Sequence, residues 1–102
     1  MKGITMSVFV IKNKKYDTEK MDYIGKVQKW YKNELASKVF GGERGSTYYC
    51  EMYRSKKGNY LITRQDDFTL YGEAITETEA KSLLIKSDLS KYEELFGEVE
   101  EA

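Results

Sequence analysis

Histidine and proline are both absent from this chain of 102 residues, and cysteine occurs once. The missing histidine removes the side chain that most often serves as a general base near neutral pH and most often ligates metals. A catalyst built here would have to rely on Asp, Glu, Lys or Tyr. A lone Cys50 excludes an intramolecular disulfide. A free thiol fits a reducing compartment, so a cytoplasmic protein is expected. A long hydrophobic run is missing too. Val8-Phe9-Val10-Ile11 stops well short of the roughly 20 residues that a membrane-spanning helix needs. The polar Lys12-Asn13-Lys14-Lys15 behind it is unlike the cleavage site of a signal peptide. No membrane partner is expected.

Net charge is absent only by cancellation. Up to Arg64 there are 14 Lys or Arg against 6 Asp or Glu, a balance of +8; from Gln65 onward there are 3 against 11, a balance of −8. A basic body thus precedes an acidic end. Such asymmetry fits a nucleic-acid or nucleoprotein partner, an interaction tail, or two halves that attract each other in the fold. What the chain has in quantity is tyrosine. Nine Tyr and four Phe offset a hydrophobic content of 40%, because each large ring buries on the order of 150–250 Å². The length suits one domain.

Along the chain, strand signals come first. Residues 5–11 alternate and are rich in β-branched and aromatic side chains, which predicts a strand buried on both faces near its end. Asn13-Lys14 is the expected hairpin turn, without the usual glycine. Tyr16-Asp17-Thr18-Glu19 reads as a turn in which Asp17 or Thr18 caps a helical turn through Met21. Residues 22–31 fit two patterns. Tyr23, Val27 and Tyr31 share a strand face, whereas Met21, Ile24, Gln28, Tyr31 and Leu35 share a helix face. Gly25 inside a helix would cost about 1 kcal/mol against alanine, which favours the strand. Gly41, Gly42 and Gly45 predict a loop over residues 33–47, with room for a short helix at 34–39.

The clearest local signal is a hairpin over residues 47–64. Tyr48-Tyr49-Cys50-Glu51-Met52-Tyr53-Arg54 is strand-like. Ser55-Lys56-Lys57-Gly58-Asn59 turns, with Gly58 supplying positive φ, and Tyr60-Leu61-Ile62-Thr63-Arg64 returns. Cys50 and Met52 should face the core together. Tyr49, Glu51 and Tyr53 should lie opposite, because a buried Glu51 would be costly. Gln65-Asp66-Asp67 breaks the pattern, and residues 68–71 look like one more strand. Two capping boxes follow, Thr76 with Glu79 and Ser90 with Glu93, the second helix ending at Gly97. The expected fold class is α+β: a small antiparallel sheet of four to five strands, then two short C-terminal helices packed on one face. Residues 1–102 form a single domain in this reading, frayed at 1–5 and 98–102.

No catalytic, metal or cofactor site is expected. Asp66 and Asp67 are adjacent and would point to opposite faces of a strand. Glu93, Glu94, Glu98, Glu100 and Glu101 lack the spacing of a calcium loop. Gly41-Gly42-Glu43-Arg44-Gly45-Ser46 lacks the Gly-Lys-Ser/Thr ending of a phosphate loop. Binding is better supplied. Arg54, Lys56, Lys57 and Arg64 lie on or beside the hairpin with Tyr49 and Tyr53, and Arg54, Lys56 and Lys57 should form an exposed cationic tip. Cations interleaved with aromatics hold phosphates and stack bases, at ~1–3 kcal/mol per stacked base. The same composition also serves a hairpin whose lysines keep it soluble and whose tyrosines fill the core.

Several stretches resemble a group of small accessory proteins encoded on phages and conjugative elements of Gram-positive bacteria. They are Lys15-Tyr16-Asp17-Thr18-Glu19, Glu51-Met52-Tyr53-Arg54-Ser55-Lys56-Lys57-Gly58-Asn59-Tyr60-Leu61, Ile75-Thr76-Glu77-Thr78-Glu79-Ala80 and Tyr92-Glu93-Glu94-Leu95-Phe96-Gly97. Residues 32–46 fall outside the resemblance, and Asn13-Lys14 stands where that group has Asn-Gly. The resemblance implies a mobile-element setting and brings no catalytic residues. In that setting the expected function is a non-catalytic inhibitor of host defence. Its partner would be a host protein or nucleoprotein complex, a CRISPR effector first among them. The alternative is a small nucleic-acid-binding module serving replication, transfer or transcription of the element. The oligomeric state is left open.

Overall fold

The computed structural model describes residues 7–102. The expected fraying of residues 1–5 and the first two residues of the strand expected at 5–11 lie outside that range. Strand β1, Val8–Ile11, pairs with β2, Lys14–Asp17, as a separate two-stranded ribbon. The turn between them is Lys12-Asn13, with φ of 52° and 66°, one residue earlier than expected. A two-residue hairpin turn of this hand needs positive φ at both positions, and Asn tolerates it better than most residues. β1 is not buried on both faces. Phe9 and Ile11 are half-buried while Val8 and Val10 are exposed, because a two-stranded ribbon lying on a larger sheet is covered on one side only.

Asp17 then caps a short 3₁₀ turn, Thr18–Lys20, by accepting from the Glu19 N–H. The main sheet follows, with β3 (Asp22–Lys32), β4 (Gly45–Arg54), β5 (Tyr60–Gln65) and β6 (Leu70–Ile75) antiparallel in sequence order. The strand reading of residues 22–31 holds. The helix-like spacing there has a physical source: the register shifts between Tyr23 and Gly25, so Ile24 and Val27, three apart, both enter the core. Helix α1, Glu34–Phe40, is capped by Asn33, and β4 begins at Gly45, inside the expected loop. β6 runs from Leu70 to Ile75 instead of 68–71. A tight turn closed by the Asp66 N–H on the Thr69 carbonyl leaves Phe68 98% exposed.

Helix α2, Glu77–Ser87, has Thr76 as its cap, as the first capping box predicts. Helix α3, Leu89–Phe96, is capped by Asp88 and not by Ser90. The Asp88 N–H closes α2 on Leu84, and its carboxylate accepts from the Lys91 N–H, so one residue joins the two helices. Val27, Cys50, Met52, Tyr60, Ile62 and Ile75 form the core face of the sheet with Ile24. Ala80, Leu83 and Leu84 of α2 cover it, joined by Leu95 and Phe96 of α3. Cys50 and Met52 are fully buried, as the hairpin register requires. On the opposite face Leu61 and Thr63 are buried, and the Phe9 ring of β1 lies on Gly72; a Cβ there would come within 2.5 Å of the ring.

Candidate functional site

Two hairpin tips meet at one end of the molecule. The β4–β5 loop is a compact turn. Ser55 and Asn59 exchange a backbone bond of 2.8 Å, the Asn59 N–H also reaches the Ser55 hydroxyl, and Gly58 has φ 88°. That geometry holds Lys56 and Lys57 at the tip. The turn end of the β1–β2 ribbon lies beside it, with Lys14 Nζ donating to Asn59 Oδ1 at 3.4 Å. The 3₁₀ turn after β2 adds Lys20. Between these segments is a cleft of about 560 Å³ lined by Lys14, Lys15, Lys20, Lys56 and Lys57, with Asp17 as the one acidic residue of the lining. Lys56 bonds Asp22 at 2.9 Å, and that hydrogen bond and charge hold the Asp22 carboxyl below its ordinary pKa. Lys15, Lys20 and Lys57 have no carboxylate partner among the described residues. Like charges gathered around a concave surface focus potential and draw in anions.

The six residues expected on the hairpin do not form one patch. Lys56 and Lys57 line the cleft. Arg54 is half-buried on the helix side, beside Phe96 and Glu77, and so is not part of an exposed tip. Tyr49 is 66% exposed on the opposite face with Lys26 above its ring, and Tyr53 on that face stacks edge-on to Tyr23 at 5.5 Å. Arg64 is four residues along β5 from Tyr60, roughly 13 Å away at strand rise. Three cleft lysines were not legible as site residues. Lys14, Lys15 and Lys20 are about 40 positions before Lys56, and their one local signal, a basic run at a turn, reads equally well as solubility.

Arg64 occupies a second setting. Its side chain is on the helix side of the sheet, beyond the part that α2 and α3 cover. The guanidinium carbon is 4.8, 4.7 and 4.5 Å from the ring centroids of Tyr31, Tyr48 and Tyr71. Register explains the grouping, since Arg64 is directly opposite Tyr71 and shares its face with Tyr48 and Tyr31. Glu73 braces the same end. It accepts from the Tyr31 hydroxyl at 2.7 Å and from Lys29 at 2.9 Å, and Lys29 also pairs with Glu79 of α2 at 2.7 Å. Burial pushes the Glu73 carboxyl up, but the bonds from Lys29 and Tyr31 outweigh it and the net shift is downward. Burial, then Glu73, drives the Tyr31 phenol far above its usual range. This brace through Lys29 links the basic and acidic halves of the chain by direct ion pairs.

No protein family, curated protein or solved structure matches the chain. No group of three or more Cys, Asp or Glu suited to a metal ion occurs among the described residues. No helix of the described residues is long and apolar enough to cross a membrane.

Proposed function

We propose that this is a non-catalytic binding protein that grips an anionic macromolecular surface with its lysine cleft, and that it serves a mobile element by inhibiting host defence machinery. The observation that carries the binding half is the convergence of five lysines from three separate segments around one cleft with a single acidic lining residue. Solvated ammonium groups contribute little to folding. Their concentration in one place is suited to holding phosphates or carboxylates. The inhibitory half rests on the resemblance, two of whose stretches, Lys15 to Glu19 and Glu51 to Leu61, border this cleft. A CRISPR effector, a nucleoprotein with both charged protein and exposed nucleic acid, is the first target to examine.

A second reading, a nucleic-acid-binding module of the element itself, draws on the same cleft. The two separate by experiment. Fluorescence anisotropy against single- and double-stranded DNA and RNA at low salt should reveal binding to naked nucleic acid under the second reading. Under the first, a plasmid-interference assay with an active CRISPR system should show loss of interference when the protein is present. Unchanged interference across several effector types removes the CRISPR target. Absence of binding to every nucleic acid at low salt removes the module.

A further inference from the structure

The geometry points to a second, independent site at Arg64 that takes a single nucleotide, its phosphate on the guanidinium and its base on Tyr48 or Tyr71. This does not rest on the lysine cleft and stands or falls without it. Arg64 is a half-buried cation with no carboxylate of a described residue within ion-pairing reach. Three rings crowd its guanidinium within 4.8 Å and restrict its movement. Its Nε is buried without a hydrogen-bond partner, and no hydrogen bond joins its terminal nitrogens to another described residue. A guanidinium stacked among rings with none of its N–H groups bonded can make two parallel bonds to an oxyanion.

The surroundings select the rest of the ligand. Lys29, another cation on this face, is already paired with Glu73 and Glu79. With Arg64 counted, two cations face two carboxylates, so the fork of one guanidinium and not an excess of charge would hold the anion, which suits one phosphate and not a run of them. The helices stop short of this end, leaving Tyr48 and Tyr71 40% and 43% exposed although Arg64 takes one face of each ring. Their open surface offers stacking for a base. An isolated carboxylate would use the arginine and leave the rings idle, so a nucleotide fits better than an acidic peptide.

The buried Arg64 Nε–H supplies its own reporter, because burial slows its exchange and should give a resolved ¹H–¹⁵N NMR signal. The probes are thymidine 5′-monophosphate, a thymidylate hexamer, thymidine, inorganic phosphate and acetate. The mononucleotide should shift the Arg64 signal and the Tyr48 and Tyr71 ring protons saturably. Thymidine and phosphate should each bind about tenfold more weakly or worse, since each keeps half of the contact. A hexamer no tighter than the mononucleotide assigns the site to a free nucleotide; a tighter hexamer assigns it to a strand. Arg64→Lys should weaken the mononucleotide about tenfold, because Lys lacks the planar fork. Tyr71→Leu should weaken the mononucleotide more than inorganic phosphate, which keeps the test open if Arg64→Lys unfolds. Lys56→Glu with Lys57→Glu should leave it unaltered. The proposal is overturned if no probe shifts the Arg64 signal saturably, if acetate binds as well as the nucleotide, or if Arg64→Lys folds and binds as wild type.

Discussion

At the hairpin tips five ammonium groups surround a cleft on flexible stems; beyond the helices a single guanidinium is stacked among three tyrosine rings. Both regions present cations, but they are built by different physics. The cleft is assembled from side chains that contribute almost nothing to the fold, so its charge, apart from Lys56 on Asp22, is free to be used and is screened by salt over about 8 Å. The aromatic end is part of the packing, so its charge is fixed in direction. The lesson is that positive residues on one strand pair do not make one basic surface. What decides is whether each is solvated or embedded.

Substitutions should expose that difference. The largest effect belongs to the core that both regions hang from. Met52→Ala should cost about 2–5 kcal/mol, as for a fully buried methionine, and thermal melts should show the loss. Arg64→Ala should cost about 1–3 kcal/mol through lost stacking on three rings, whereas Lys56→Glu with Lys57→Glu should stay within about 0.5 kcal/mol per site. Equal losses in a denaturant titration would erase the distinction between embedded and solvated cations.

Acid should act on the aromatic end through Glu73. Its folded pKa is depressed, so its contribution is complete above the ordinary value of 4.5 and is lost as the pH falls through the lowered one. Near-UV circular dichroism of the tyrosines should therefore change below that value, and Glu73→Gln should remove this step. The smallest effect is at the ribbon turn. Replacing Lys12 by Asn and Asn13 by Gly, which accept positive φ more readily, should stabilise by some tenths of a kcal/mol without altering the cleft lysines.

The main hairpin was legible because its signals are local: alternation through Cys50 and Met52, and Gly58 at a turn. The first capping box was legible for the same reason. The second misled because Asp88, already ending α2, is a competing cap two residues ahead of Ser90. β6 was hidden by Gly72, Glu73 and Ala74, which carry little strand propensity and are held by the Phe9 contact and the pairing with β5. The site was less legible still. Lys56 and Lys57 announce a basic tip, but their partners arrive from a ribbon 40 residues away. Arg64 sits with Tyr31 and Tyr71 through strand pairing alone. Such groupings need the register, and single-strand patterns do not contain it.

The central claim is that the two hairpins act as one anion-binding cleft. It is tested most directly by the salt dependence of affinity for a short nucleic acid, measured for wild type, for Lys14→Glu with Lys15→Glu, and for Lys56→Glu with Lys57→Glu. With five lysines engaged, log K should fall with log salt at a slope of about −3.5 on single strands or −4.5 on duplex. Either pair of substitutions should reduce that slope by about 1.4 to 1.8. A slope that answers to Lys56 and Lys57 but not to Lys14 and Lys15 would contradict the shared cleft.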